Sequence, residues 1–191
     1  PDGERVVFAS QRHDTGLDLW ELDVPTALSW RITSHPGDES EPAWSADGRY
    51  LFYLEKDPQT LRAWRVMRHE RGTDPAADAL VYEERDDTFY SYLHRSRSGD
   101  YVFLVHSHTD SSEVQWLDAA RPLDPFRPFL PREEKHEYDV DHAGDSFWIR
   151  SNWQAENFRV LRTRLADSAD KGRWEEVVAH REDALVEELQ V

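Results

Sequence analysis

Short runs of apolar and β-branched residues recur along the chain, and each set begins after a turn that pairs glycine with aspartate. The turn pairs are Asp2-Gly3, Asp47-Gly48, Gly99-Asp100 and Gly144-Asp145, at steps of 45, 52 and 45 residues. Each pair is followed by a run typical of a strand: "ERVVFAS", "RYLFYLE", "YVFLVHS" and "SFWIRS". The pattern predicts four similar units of β structure.

Three further runs complete each unit. The second set is "LDLWELD", "AWRVMRHE", "EVQWLDA" and "FRVLRTRL". The third is "SWRITS", "DALVYEE", "FRPFLP" and "WEEVVAH", and the fourth is "EPAWSAD", "FYSYLHRS", "EYDVDHA" and "ALVEELQV". Several runs alternate apolar with polar residues, as expected for a sheet with one wetter face.

Four strands in about 45 residues are typical of a β-propeller blade. We therefore predict an all-β fold, a β-propeller of about four four-stranded blades, in which Trp and Phe fill the wedges between stacked blades. The chain is predicted to be a single domain, residues 1–191, with repeats near 1–47, 48–96, 97–143 and 144–191. An ordinary β-sandwich with coincidental spacing is the alternative fold.

The first unit has no strand before its turn, whereas "ALVEELQV" reads as a first strand with no strands after it. We expect Leu185 to Val191 to lie beside Arg5 to Ser10 and complete the first blade, since an unpaired edge invites aggregation. A short helix over "EDALVEEL" is the alternative, because Glu, Ala and Leu favour helices. Three assemblies stay open: a small closed ring, half of a larger ring formed by a homodimer that exchanges terminal strands, and an excised part of a larger propeller.

Charge narrows the range of partners. The net charge of −16 argues against nucleic acid and against an anionic membrane surface, both of which require a basic face. The negative charge favours solubility or, as a more specific interpretation, attraction of short basic peptides. The chain has no cysteine, so neither a disulfide nor a thiolate metal site is possible. No apolar run approaches the roughly 20 residues of a membrane helix.

Catalytic chemistry is not predicted. A serine-hydrolase elbow usually requires Gly-x-Ser-x-Gly, and no two glycines here are four residues apart. Ser107, His106 or His108, and Asp110 could supply a triad, but neighbours along a strand point to opposite faces. The acidic pairs Glu83-Glu84, Asp86-Asp87 and Glu133-Glu134 diverge for the same reason, so they are interpreted as solvated loop and edge charges.

Metal binding and cofactors are not predicted either. His106 and His108 share a face if their strand stays extended, and "HEYDVDH" offers His136, Glu137, Asp139, Asp141 and His142. These spacings are looser than those of known metal motifs. We expect Asp141 and His142 to hydrogen-bond the turn before Gly144 instead. The singled-out residues are therefore structural, in the blade turns: Asp2, Gly3, Asp47, Gly48, Gly99, Asp100, Asp141, His142, Gly144 and Asp145.

Two resemblances to known families follow from longer motifs. Residues 1–48, with "DLWELD", "RIT" and a Ser-x-Asp-Gly turn, are similar to the repeat of TolB-like propellers. Residues from about 44 to 190 resemble the propeller domain of oligopeptidase B, a prolyl-oligopeptidase-type serine peptidase, through "LVYEERDDTFYSYLHRSRSGDYVFLVHSHTDSSEVQWLDA" and "FLPREEKHEYDVDHAGDSFWIRSN". This resemblance implies a seven-bladed propeller that caps an α/β-hydrolase domain and admits short peptides, with cleavage after basic residues.

The function expected from these patterns is that of a non-catalytic propeller module, which gates substrates and docks against a peptidase catalytic domain. A TolB-like module that binds a protein or a basic peptide is the alternative, as is a recombined propeller without any ligand. The likeness to oligopeptidase B implies the cytoplasm, and that to TolB implies the periplasm.

Overall fold

The computed structural model describes residues 3–12 and 16–191, in which strands form four antiparallel sheets. The first sheet has three strands: β1 Arg5–Ser10, β2 Asp18–Asp23 and β3 Leu28–Arg31. The second has four: β4 Glu39–Trp44, β5 Tyr50–Lys56, β6 Ala63–Glu70 and β7 Ala79–Glu83.

The third and fourth sheets repeat this up-and-down order. The third contains β8 Tyr90–Arg95, β9 Tyr101–Ser107, β10 Ser112–Asp118 and β11 Arg127–Pro128. The fourth contains β12 Tyr138–Ala143, β13 Ser146–Ser151, β14 Arg159–Thr163 and β15 Glu175–Val178. Short 3-10 helices lie at Pro75–Ala77, Leu165–Asp167 and Lys171–Arg173. Within the described residues, no helix is long and apolar enough to cross a membrane.

Three apolar clusters lie between successive sheets, as expected for propeller blades and not for a two-layer sandwich. Leu19 and Leu51 belong to the cluster between the first and second sheets. Phe52 and Leu104 join the second to the third, and Phe103 and Phe147 join the third to the fourth. The first strand of each later sheet contacts the preceding sheet: β4 contacts β1 and β2, β8 contacts β4, and β12 contacts β10. The predicted β-propeller architecture is thereby confirmed.

Tryptophan fills less of the wedges between the sheets than predicted. Only Trp20 and Trp174 are buried among the described tryptophans, whereas Phe52, Phe103 and Phe147 are at most 1% exposed. The third run of the third unit is also shorter than expected, with β11 reduced to Arg127–Pro128. Proline has no backbone N–H, and Pro125, Pro128 and Pro131 interrupt the ladder there.

The predicted closure by the last residues is wrong. Residues 185–191 form neither a strand nor a helix, and the first sheet keeps three strands with β1 at its edge. The N–H of Val186 donates to the carbonyl of Asn157 at 3.0 Å, and Arg150 Nε donates to the carbonyl of Val186 at 2.7 Å. These two contacts hold the segment against the fourth sheet, away from Arg5–Ser10.

Candidate functional site

The alternating strand directions sort the loops onto two faces. One face carries the segments that join successive sheets, 32–38, 84–89 and 129–137, together with the hairpins 57–62, 108–111 and 152–158. We call it the connector face. The opposite end carries the tight turns between first and second strands, at 45–49, 96–100 and 144–145, and is called the turn face.

A shallow pocket of about 390 Å³ opens on the connector face where the second and third sheets meet. Three segments line it. Phe89 comes from segment 84–89, His108 from hairpin 108–111, and Arg132 from segment 129–137. The rim also includes Asp86 and Asp110, so the pocket gathers several residues that the sequence singled out.

Three side chains of the pocket lie in contact around the Phe89 ring. The Arg132 guanidinium carbon lies 3.8 Å from the centre of the Phe89 ring. The His108 ring lies 5.4 Å from the same ring, tilted by 38°. Phe89 is only 6% exposed, so the cation–π contact with Arg132 is partly withdrawn from water and is stronger than one at an open surface.

Arg132 also joins two buried carboxylates from different sheets. Its Nη2 donates to Glu84 Oε2 at 2.7 Å, and its Nε donates to Glu113 Oε2 at 2.7 Å. Burial works to raise the pKa of Glu84, but the hydrogen bonds from Arg132 and from the Asp86 N–H outweigh it and hold that pKa below its ordinary value. The arginine therefore favours the charged form of Glu84 and donates a hydrogen bond to each of the two buried carboxylates.

His106 lies beneath this ion pair and is fully buried. Its Nδ1 is 3.0 Å from Ser91 Oγ and 3.5 Å from Glu84 Oε2, and its ring packs 5.0 Å from that of Tyr82. Burial lowers the pKa of His106 to about 4, so the imidazole is neutral at neutral pH. Its Nε2 has no hydrogen-bond partner among the described residues.

The candidate triad residues do not form a proton relay. His108 Nδ1 lies 3.1 Å from Asp110 Oδ1, and Ser111 Oγ donates to the same oxygen at 2.9 Å. This serine is Ser111 and not the candidate Ser107, and the aspartate stands between it and His108, whereas a relay needs the imidazole between serine and acid. His106 is buried on the opposite side of β9 from Ser107, as the alternation of side chains along a strand predicts.

Two further serine–histidine pairs escaped the sequence reasoning. Ser151 Oγ is 2.9 Å from His136 Nε2, and both residues are buried. Ser98 Oγ is 2.8 Å from His142 Nδ1, and Asp100 Oδ2 is 3.7 Å from that same nitrogen. Since serine and acid must occupy opposite ring nitrogens for general-base catalysis, this pair is a structural contact as well.

The candidate metal ligands also separate. His106 lies within β9 and is buried. His108 follows the end of that strand and pairs with Asp110 at the surface. In "HEYDVDH", His136 contacts Ser151, Asp139 pairs with Arg150, and Asp141 accepts from the Arg97 N–H. Over residues 3–12 and 16–191, no group of three or more His, Asp or Glu is placed to hold a metal.

The acidic pair Glu83-Glu84 diverges as predicted, but one member is not solvated. Glu83 faces outward and accepts from Arg65 Nε at 3.0 Å, whereas Glu84 is 4% exposed and faces Arg132. The expectation of a solvated charge is therefore wrong for Glu84. Strand alternation placed it inside, and Arg132 compensates its charge.

Three of the turn glycines lie in the hairpins between first and second strands, and Asp2 lies outside the described residues. Gly48, Gly99 and Gly144 adopt positive φ of 67°, 79° and 65°, a region that glycine enters without strain. Asp47 Oδ1 accepts from Ser45 Oγ at 2.6 Å and from the Arg49 N–H at 3.0 Å.

Asp141 and His142 contact a different turn from the expected one. Asp141 Oδ1 accepts from the Arg97 N–H at 2.9 Å, and His142 Nδ1 lies 2.8 Å from Ser98 Oγ. Both partners belong to turn 96–100 of the third sheet, and not to the turn before Gly144. The two residues therefore join adjacent sheets instead of bracing their own hairpin.

Comparison with known proteins gives one consistent family. The prolyl oligopeptidase N-terminal β-propeller domain matches residues 33–191. Dipeptidyl aminopeptidase BI of Pseudoxanthomonas mexicana is 44% identical over 167 residues, which are 87% of this chain and 22% of that protein. Protease 2 of Moraxella lacunata is 34% identical over 191 residues, covering 98% of this chain and 27% of that protein.

Solved structures show the same fold. Oligopeptidase B from Leishmania major superposes with a TM-score of 0.79 at 24% identity, over 96% of this chain and 26% of that one. The chain thus spans about a quarter of the length of the relatives it matches.

Proposed function

The chain belongs to the prolyl oligopeptidase family, in which it corresponds to the N-terminal β-propeller domain, and from this premise we propose that it docks against a peptidase catalytic domain and gates access to it. In this role the chain performs no peptide cleavage of its own. Short peptides would pass to the catalytic domain, while folded proteins would be excluded.

The observation that carries the proposal is the geometry of the serine–histidine pairs. Among the described residues, none combines an accessible serine, an imidazole bonded to it and an acid on the opposite ring nitrogen. The pairs Ser91–His106 and Ser151–His136 are buried. Ser98 and Asp100 both lie near the same nitrogen of His142, Nδ1. Acyl transfer requires all three features together.

Chain topology favours the connector face as the docking side. Each four-stranded sheet is entered at its first strand and left from its fourth on this face. A domain joined to the propeller through either of those strands would consequently attach there. The pocket lined by Phe89 lies on the same face and would meet the docked domain.

Activity is tested first with the chain alone. Incubation with a fluorogenic peptide ending in Arg or Lys should give no turnover above the buffer rate. Turnover that a serine-directed inhibitor abolishes would contradict the proposal, and Ser111→Ala would then show whether the hairpin serine is responsible.

Docking is tested with two matched arginine variants. Arg85 on the connector face and Arg121 on the opposite side are 88% and 71% exposed, and each has one loose carboxylate partner, Glu83 and Asp118. The partner is the portion of the Pseudoxanthomonas mexicana relative outside the matched 22%. We expect Arg85→Glu, and not Arg121→Glu, to weaken binding measured by calorimetry; the reverse result would place docking elsewhere.

A second candidate follows from the net charge of −16. The exposed acids Asp86 and Glu134 line the connector-face pocket and would attract a short basic peptide. Titration at two salt concentrations tests this, because attraction between exposed charges is screened by salt. Absence of saturable binding at low salt would remove this candidate.

A further inference from the structure

Segment 129–137 is tied in opposite directions by two neighbouring residues. Arg132 reaches back to the second sheet's connector, where its Nη2 donates to Glu84 Oε2 at 2.7 Å. Glu133 reaches forward, where its Oε2 accepts from Lys171 Nζ at 2.5 Å in the fourth sheet's 3-10 helix. One short segment therefore clasps both junctions that flank the third sheet.

The backbone of this segment is anchored at its ends. The Phe129 N–H donates to the Val114 carbonyl at 2.8 Å, and the Ser112 N–H donates to the carbonyl of His136 at 2.9 Å. The residues between them, 131–135, are exposed and belong to no strand. Lys135 has a positive φ of 61°, which is strained for a residue with a side chain. In the middle of the segment, the Lys135 carbonyl accepts from Asn152 Nδ2 at 3.2 Å, and the side chains of Arg132 and Glu133 add ion pairs to the two neighbouring sheets.

The Arg132 clasp is largely shielded, the Glu133 clasp is open to water on the Glu133 side, and a buried histidine lies beside each. On the Arg132 side, the facing groups are Glu84, Glu113, Tyr82 and His106, with Asp86 at 3.8 Å. On the Glu133 side, Lys171 Nζ lies 3.3 Å from His136 Nδ1 and 5.7 Å from the centre of the Trp153 ring. Ion pairs that are partly withdrawn from water hold their geometry better than exposed ones and are less screened by salt.

We propose that segment 129–137 is a single latch that closes the two junctions of the third sheet together, so that release on one side loosens the other. Opening the latch withdraws Arg132 from Phe89 and widens the connector-face pocket. The device depends on contacts within this chain alone, and its test does not depend on docking to a catalytic domain.

The latch is tested from its more exposed side, where folding is least at risk. Lys171→Met removes the forward clasp and leaves Glu133, whose side chain is 56% exposed, in contact with water. We expect amide hydrogen exchange in segment 84–89 to accelerate roughly fivefold or more, although these residues do not contact Lys171. Arg173→Met is the matched control, since Arg173 lies in the same 3-10 helix but pairs with Asp167 and Asp170.

The variant that removes the backward clasp must not leave buried carboxyl groups without a partner. The triple variant Glu84→Gln/Glu113→Gln/Arg132→Met removes the backward clasp with its charges together. Adding Lys171→Met to this background should leave exchange in segment 84–89 unchanged, because the coupling is already lost. If Lys171→Met instead accelerates that exchange equally in both backgrounds, or affects only residues near 133–136 and 171–174, the latch proposal is wrong.

Discussion

The hydroxyl oxygen of Tyr138 accepts a hydrogen bond from the backbone N–H of Val114 at 2.9 Å, and this bond crosses from the fourth sheet to the third. Tyr138 is 1% exposed, and its ring belongs to the apolar cluster between the two sheets. One side chain therefore supplies both apolar packing and the acceptor for a strand N–H that no neighbouring strand satisfies.

Tyr138→Phe should destabilise the chain by about 1–3 kcal/mol, because it leaves the buried Val114 N–H without its acceptor while it preserves the ring. Urea unfolding followed by tryptophan fluorescence measures the change. Tyr90→Phe is the control, since the Tyr90 side chain is exposed and removal of its hydroxyl should leave the midpoint unchanged. Equal effects of the two substitutions would contradict the assigned role.

Arg132→Met should cost about 3 kcal/mol or more, since it leaves the buried carboxyl groups of Glu84 and Glu113 without their shared arginine. Arg162→Met removes an arginine that pairs with Glu175 at the surface at 2.8 Å, and surface pairs contribute little. Its unfolding midpoint should match that of the unmodified chain. A loss of comparable size in both variants would show that burial of the acids is not decisive.

Two buried histidines should make the fold sensitive to acid. The pKa of His106 and that of His136 are each lowered to about 4, by burial in both cases and also by Lys171 for His136. In the unfolded chain both titrate near 6.5, so the unfolded state binds more protons between these values. Stability should therefore fall as pH decreases from about 6.5 to about 4. His136→Gln should reduce the proton uptake on unfolding near pH 5 by about one.

Glu39 should act with the opposite sign. Burial raises its pKa to about 7, despite hydrogen bonds from Thr33 and from the His35 N–H. The folded state then binds more protons than the unfolded state between about 4.5 and 7, and stability should fall as pH rises through that range. Glu39→Gln should be more stable than the unmodified chain at pH 8 and close to it at pH 4.5. Denaturant midpoints of the variant and the unmodified chain are measured across this pH range. The same pH dependence in both would contradict the raised pKa of Glu39.

Gly37 should tolerate no side chain. A Cβ at this position would lie 2.2 Å from the Lys56 carbonyl oxygen, which is backbone and cannot move aside cheaply. Gly37→Ala should therefore cost about 1–3 kcal/mol through overpacking. At Gly72, nothing lies within 4 Å of an added Cβ, so Gly72→Ala reports only the strain of its φ of 84°. Thermal unfolding of both variants separates the clash from the backbone strain.

Local chemistry made most of the strand set predictable. The turn pairs and the β-branched runs indicated β4–β6, β8–β10 and β12–β14 because each strand pairs with its neighbour in sequence. The same reasoning failed for the last eight residues. Their pattern suits a strand, but pairing also requires a partner, and Arg150 and Asn157 hold the segment elsewhere.

The side-chain network was harder to predict because it depends on register and on contacts between sheets. Arg95 pairs with Val102 across the hairpin, so counting back four positions places Ser91 opposite His106. The pair Ser91–His106 could therefore be predicted once the turn at 96–100 was assigned. The pair of Arg132 with Glu84 was not, because 48 residues and a complete sheet separate them.

Two of the bonds that join one sheet to the next at the turn face are made by main-chain atoms alone. The Ala46 N–H donates to the carbonyl of Ala119, and the Ser98 N–H donates to the carbonyl of His142, at 2.8 and 2.9 Å. Such bonds do not depend on which side chains the two blades carry. Any residue except proline at positions 46 and 98 therefore leaves these two bonds between blades available.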